Sequence, residues 1–149
     1  MGTAFDEFDQ YAGRAYPGML ADRNHADVVT RLITDTNGVG FGVAVTDVGE
    51  RSAEIPGAGE VPNGITVRET VRDNDATDTP EYPQGYEASV VRVGRVWVKA
   101  AGATKGQVYV VPDTGALTSS ASGNLTFTGA KFVADAGSDD LVLVQLNGN

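Results

Sequence analysis

The densest group of side chains that could do chemistry is the acidic run Asp73-Asn74-Asp75-Ala76-Thr77-Asp78. Carboxylates at alternate positions can converge on a hard cation such as Ca²⁺. A calcium loop of the EF-hand type also needs glycine at its sixth position and a bidentate glutamate at its twelfth, where this chain has Asp78 and Gln84. We therefore expect a solvated acidic loop without a bound metal.

Residue types needed for catalysis are scarce. The chain has no cysteine nucleophile and no G-x-S-x-G motif, and the only conventional base for a serine nucleophile, His25, lies in the N-terminal 26 residues. The segment Gly38-Val39-Gly40-Phe41-Gly42 is followed by a strand pattern, whereas a phosphate loop leads into a helix. Paired carboxylates of a glycosidase remain possible among 20 acids, but most of these acids fall in stretches poor in aromatic residues. The sequence predicts a protein that is not an enzyme and that needs no cofactor.

Charge narrows the choice of partners. With 11 Lys+Arg against 20 Asp+Glu, the formal net charge is −9, which disfavours binding to nucleic acid or to anionic membranes. No apolar run approaches the roughly 20 residues that span a bilayer. One basic cluster, Arg92, Arg95, Lys99 and Lys105, could face an acidic partner or could occupy solvated positions along a strand.

Composition favours β-structure. The chain contains 20 Val and 14 Thr but 7 Leu and 3 Ile, together with 19 Gly, which suits pleated strands and sharp turns. Apolar alternation bounded by turn residues predicts an all-β fold, a small barrel or sandwich-like body. The predicted strands cover residues 28–34, 39–46, 65–72, 86–93, 95–100, 107–111, 124–128, 131–134 and 141–146.

Turn residues divide these strands. Asn37-Gly38 predicts a hairpin between the first two. The Pro- and Gly-rich stretch 50–63 and the acidic stretch 73–84, with two prolines and four acids, predict exposed loops. Gly94 either forms a tight turn or, as we favour, a bulge that lets one strand bend between two sheets. Trp97, with valine on both sides, is expected to anchor the core or a subunit interface.

The first 26 residues differ from the rest. They hold four of the eleven aromatic residues, but Gly13, Pro17 and Gly18 interrupt any regular element. We interpret residues 1–26 as an irregular N-terminal arm and residues 27–149 as the body. The arm either folds back as a lid on its own barrel or, as we favour, lies on a partner.

The order of these features resembles a known family. Its marks are Tyr-Pro-Gly-Met-Leu-Ala-Asp at 16–22, valine-rich strands, an acidic proline-rich middle, Gly-Arg-Val-Trp-Val at 94–98, Lys-Gly-Gln-Val-Tyr-Val at 105–110 and Asp-Thr-Gly at 113–115. Over nearly its whole length the chain resembles tailed-phage capsid decoration proteins of the structural cement type.

The resemblance implies a head protein with a barrel-like body, bound on the outer surface of the expanded capsid at junctions between major capsid protein subunits. It implies synthesis in the host cytoplasm, location in the virion, and a homo-oligomer, with a trimer favoured over a dimer. By position, residues 16–22 correspond to the arm segment on the capsid, whereas the contact role of the preceding aromatics rests on composition. The expected capsid-binding residues are Phe5, Phe8, Tyr11, Tyr16, Pro17, Gly18, Met19 and Leu20.

One alternative shares this composition. A β-sandwich module that binds carbohydrate or a receptor would be favoured by an exposed aromatic cleft around Tyr82 and Tyr86.

Overall fold

The structure, a computed structural model, describes residues 17–68, 81–137 and 140–147, apart from the side chains of 22–25. In these ranges the chain forms strands and turns without a helix, and hence has no helix able to cross a membrane. The strands are β1 Leu20–Ile33, β2 Val39–Gly40, β3 Ala44–Val48, β4 Ser52–Glu54, β5 Gly64–Thr66, β6 Glu81–Tyr82, β7 Glu87–Lys99, β8 Gly106–Val110, β9 Leu117–Thr118, β10 Leu125–Phe132 and β11 Leu141–Asn147.

Five strands close into a barrel, which confirms the predicted all-β fold class. Their order is β1-β4-β3-β5-β7, and β7 pairs with β1 to complete the ring. Side chains that alternate inward along these strands fill the barrel. We call this group the barrel core: Ile33, Val39, Val45, Ala53, Tyr82, Ala88 and Val90.

The remaining strands form a curved extension of the same sheet. It runs from β7 through β11, β10 and β8 to the short edge strand β9. Its inner face packs on the outside of the barrel wall, which contributes Ala44 of β3, Ile65 of β5 and Val91 of β7. We call this second group the extension core; its bulkiest members are Phe127 and Phe132.

β7 is the strand that both cores share. Val90 lies in the barrel core and Val91 in the extension core, whereas Val96 and Val98 both lie in the extension core. The pairing with β1 shifts register between Val91 and Val93, next to Gly94 at φ 130°. The continuous β7 excludes the tight turn, and the bulge lies at Arg92, two residues before the predicted Gly94, within one sheet rather than between two. The extra residue changes which face of β7 is buried as the strand continues into the extension.

A network of charged groups occupies the inward positions of the barrel beyond its apolar filling. Arg31 on β1, Asp47 on β3 and Arg92 on β7 follow the inward alternation of Ile33, Val45 and Val90. Asp47 binds Arg31 through Oδ1 at 3.1 Å and Arg92 through Oδ2 at 3.0 Å. One carboxylate on β3 therefore links this strand to β1 and to β7, neither of which lies next to β3 in the sheet.

The predicted hairpin at Asn37-Gly38 is wrong. The turn exists, with Gly38 at φ 76°, but β1 pairs with β7 and β4, while β2 pairs with β6. Asp35 explains why β1 and β2 do not pair. Its Oδ2 accepts a hydrogen bond from the Ile55 amide at 2.6 Å, which holds the turn next to the end of β4. The Asn-Gly sequence therefore determines where the chain turns, but it does not determine which strand β1 pairs with.

Other predicted boundaries also need correction. Stretch 50–63 is not wholly an exposed loop, because it contains β4 with Ala53 fully buried. Stretch 73–84 ends in β6, whose Tyr82 is fully buried; its residues 73–80, with the acidic run, lie outside the described residues. The predicted strand 39–46 breaks at Gly42, and strands 124–128 and 131–134 are one strand, β10. β1 begins at Leu20 rather than at residue 28.

Removing the shared carboxylate should destabilise the barrel. Asp47→Ala leaves two half-buried guanidinium groups without a counter-charge, and we expect a loss of about 1–2 kcal/mol, or roughly 3–6 °C in melting temperature. Glu50→Ala is the matched control, because it removes one negative charge from an exposed turn. Calorimetry showing equal melting temperatures for the two variants would contradict a structural role for Asp47.

Candidate functional site

The described part of the predicted arm begins at Pro17, and its first residues, 17–20, are fixed to the body by main-chain hydrogen bonds. The Gly18 amide donates to the Trp97 carbonyl at 2.8 Å, and the Trp97 amide donates to the Met19 carbonyl at 2.9 Å. On its other side the Gly18 carbonyl accepts from the Arg68 amide at 3.0 Å. We call residues 17–20 the arm root, because they join the preceding residues of the arm to the body.

Only glycine fits at the centre of the arm root. Gly18 is buried at φ 84°, and a Cβ there would lie 2.7 Å from the Arg68 amide nitrogen and 3.1 Å from the Phe41 Cβ. Gly42 faces it with a similar restriction, because a Cβ at Gly42 would lie 2.8 Å from the Gly18 nitrogen. Two glycines therefore allow the arm root and the turn before β3 to approach each other at backbone distance.

An aromatic group supports this contact from beneath. Phe41 and Tyr82 meet edge to face with ring centroids 5.1 Å apart, and the Arg68 guanidinium lies 6.0 Å from the Phe41 centroid. The Tyr82 hydroxyl donates to the Val67 carbonyl. The arm and the segment that follows Arg68 toward the acidic stretch thus start from adjacent points on one rigid base.

The arm-root residues differ in what they offer a partner. Leu20 pairs with Val96 and packs against the extension core, and Gly18 is buried. Pro17 and Met19 remain half-exposed. The other expected capsid-binding residues, Phe5, Phe8, Tyr11 and Tyr16, lie outside the described residues.

Trp97 is half-buried on β7, and its main chain holds the arm root through the two hydrogen bonds described above. Its side chain lies on the face of β7 opposite to Val96 and Val98, which point into the extension core. The expected role as an anchor of the core or of a subunit interface therefore stays a prediction, with the interface favoured by this outward position.

The basic cluster predicted from the sequence is divided by the fold. Arg92 forms an ion pair with Asp47, and Lys105 lies away from β7, exposed just before β8, where the Asp135 carboxylate accepts from its main-chain amide at 2.8 Å. Arg95 and Lys99 are exposed on the outer face of β7. The sequence did not reveal that Lys131 of β10 joins them, since it lies far along the chain.

The residues considered for catalysis and for carbohydrate binding do not assemble within the described ranges. These ranges contain no group of three His, Asp or Glu side chains arranged to hold a metal. Tyr82 is fully buried, whereas Tyr86 is 48% exposed, so the two do not line a common cleft. The observation that would have favoured a carbohydrate- or receptor-binding module is therefore missing at these two residues.

Comparison with known proteins gives a consistent result. A family model described as "Structural cement protein (E217 gp24/Pam3 gp6)" matches residues 6–147. Among curated proteins no match was found. A chain from a solved structure titled "The capsid of Myoviridae Phage XM1" is similar in fold, with a TM-score of 0.69, 21% identity, and 89% of each chain covered.

Adding a Cβ at Gly18 should lower the free energy of unfolding by more than the strain of positive φ alone. Gly18→Ala and Gly102→Ala both place alanine at positive φ, 84° and 68°, but nothing lies within 4 Å of a Cβ at Gly102. We expect Gly102→Ala to lose about 1 kcal/mol and Gly18→Ala to lose at least about 2 kcal/mol, measured by chemical denaturation. Equal losses of stability in the two variants would mean that the arm root accommodates the added Cβ without further destabilisation.

Proposed function

This chain belongs to the structural cement protein family of phage capsids, and from that membership we propose that it binds the outer surface of the expanded shell at junctions between major capsid protein subunits. The family makes it a capsid-stabilising decoration protein of the virion. We propose that it acts by binding alone, without catalysis and without nucleic acid as a partner.

The observation that carries this proposal is the fixed arm root. An aromatic segment, residues 1–16, continues from a point held by three main-chain hydrogen bonds at Gly18 and Met19. A binding segment attached to a rigid base loses less freedom on docking than one attached to a mobile loop. We propose that Phe5, Phe8, Tyr11 and Tyr16 contact the capsid, with Pro17 and Met19 at the edge of the same contact.

Stabilisation of the shell follows from mass action. A protein that binds the assembled shell and not its free subunits stabilises assembly by about 2.7 kcal/mol per site when its concentration is one hundred times its dissociation constant. Sites repeat over the whole lattice, so small energies per site add up. Strong binding at one site is not required.

Truncation should separate the arm from the body. Deleting residues 1–16 keeps the arm-root hydrogen bonds and Leu20 in the extension core, so we expect the melting temperature to change by a few degrees at most. Binding to expanded shells of the cognate phage, measured by cosedimentation, should fall at least about a hundredfold, because two or three buried aromatic anchors are lost.

A point-variant pair tests the same proposal without truncation. Phe8→Ala combined with Tyr16→Ala should weaken shell binding at least about tenfold. Tyr86→Ala, at an exposed aromatic of the body, is the matched control and should bind as the parent does. If the truncated protein unfolds, or if it binds shells as tightly as the full chain, the arm is a lid on its own core.

We also propose that the protein is a trimer. Decoration sites in the families that it resembles commonly lie on local three-fold axes, and a ring of like subunits closes by symmetry. Analytical ultracentrifugation of the free protein should give a mass about three times that of one chain, independent of the arm if the body forms the interface. A dimer would contradict this proposal, and so would occupancy at two-fold positions of the shell.

A further inference from the structure

A line of half-buried apolar side chains crosses the outer face of the extension. The Met19 carbonyl accepts from the Trp97 amide, Trp97 pairs with Leu143, and the Val133 amide donates to the Leu143 carbonyl at 2.9 Å. Their sequence neighbours Leu20, Val96, Val144 and Phe132 belong to or pack against the extension core. By alternation the side chains of Trp97 and Leu143 lie on the opposite face, and Met19 and Val133 are the residues next to β1 and β10 that these two positions bind through the main chain. We call Met19, Trp97, Leu143 and Val133 the outer stripe.

Cations flank the outer stripe on both sides. On one side Arg95 and Lys131 lie opposite Gln145 in the two neighbouring strand pairs, and on the other Lys99 lies opposite Leu141. All three basic residues are exposed, and no carboxylate within the described ranges forms an ion pair with them. Arg95 has only a long hydrogen bond to Gln145, at 3.4 Å.

The described acids nearest to this face form no ion pair with its cations. Asp140 directly precedes Leu141, the first residue of β11, and Asp135 accepts from the Lys105 main-chain amide. Asp22 lies opposite Arg95 in the backbone register of β1 and β7, and its side chain is outside the described part. Among the described side chains, the outer face of β7, β11 and β10 thus carries the cations Arg95, Lys99 and Lys131 in a chain whose formal net charge is −9.

Residue types on this face are those enriched at binding interfaces. Tryptophan, methionine and arginine concentrate at protein interfaces and at their energetic centres. A second copy of the chain applied to the same face would bring the three cations against each other, which costs free energy. The charge therefore selects an acidic partner over a face-to-face copy.

We propose that the outer stripe and its flanking cations form a second contact with the phage shell, one that binds an acidic segment of the capsid protein. That segment would place an aliphatic or aromatic side chain on Trp97 and Leu143 and its carboxylates on Arg95, Lys99 and Lys131. Met19 belongs both to the arm root and to the outer stripe, so the arm root and this face are continuous. The inference rests on the proposed function.

Charge reversal at exposed positions tests the face without disturbing the core. We expect Lys99→Glu and Lys131→Glu each to weaken cosedimentation with expanded shells about tenfold at low salt, and less at high salt because screening removes the attraction. Arg51→Glu makes the same charge change in the exposed turn between β3 and β4. It should bind as the parent does.

Two further variants separate packing from charge. Trp97→Ala removes the centre of the outer stripe and should weaken binding at least about thirtyfold, with a melting curve to show that the variant folds. Leu143→Ser gives the same information at a position whose main chain does not hold the arm root. If both variants bind shells as the parent does, the apolar part of the proposal is overturned.

Zero-length carbodiimide crosslinking identifies the occupant, because it joins lysine amines to carboxylates in direct contact. On decorated shells, Lys99 and Lys131 should crosslink to Asp or Glu of the capsid protein. Crosslinks only to Asp6, Glu7 or Asp9 of the protein's own arm, or only to a second copy, would overturn the proposal.

The outcomes distinguish this inference from the proposed function. If the parent protein does not bind expanded shells, the proposed function fails. If the parent binds, if deletion of residues 1–16 abolishes binding, and if Lys99→Glu and Lys131→Glu behave like Arg51→Glu, then the arm is the capsid contact and the outer stripe is not.

Discussion

The structure depends on β7 changing the face that it buries partway along its length. Val90 fills the barrel, Val91 lies against the extension, and beyond the bulge Val96 and Val98 both lie in the extension core. With strict alternation beyond Val91, the side chains that face the extension core would be those of Arg95, Trp97 and Lys99. The extra residue before Gly94 turns Val96 and Val98 to that core instead, so that β7 supplies apolar side chains to both cores of one continuous sheet.

The two cores end in different chemistry, and this difference determines what each part can do. The barrel is filled by apolar side chains and then by the Arg31–Asp47–Arg92 network, in which one carboxylate binds two guanidinium groups. On the extension, by contrast, Arg95, Lys99 and Lys131 are exposed on the outer face without a carboxylate partner among the described side chains. The charged groups of the barrel thus hold strands together, whereas those of the extension face solvent.

The sequence was sufficient for the fold class and for a bulge in β7 to within two residues, because both follow from local residue types: valine alternation and a glycine within a strand. It was insufficient for strand pairing. Asn37-Gly38 correctly marked a turn, but the partner of β1 is β7, more than fifty residues away, and nothing near the turn encodes that choice. The start of β1 at Leu20 was missed for the same reason, since its strand conformation comes from pairing with Val96 and not from its own neighbours.

Only part of the candidate site could be predicted from the sequence. The glycine at position 18 and the tryptophan at position 97 stand out in the sequence, but their contact does not, because it joins main-chain atoms of residues 79 positions apart (97 − 18). Lys131 could be grouped with Arg95 only once β10 and β11 were known to be neighbours. Surface clusters that span several strands have no local signature, whereas the arm's aromatic composition does.

The attachment of the arm root also determines how the protein carries a mechanical load. A pull that reaches β1 along its own axis, through the arm root, would load a strand that pairs antiparallel with β7 from Leu20 to Leu32, with three shifts of register. Force applied along two paired strands loads their hydrogen bonds in shear, so that many must break together. Force applied across the end of a hairpin opens them one at a time. A protein that is held to its support through the arm would therefore resist detachment through the whole β1–β7 ladder, and the weakest point would lie in the contact between the arm and its partner.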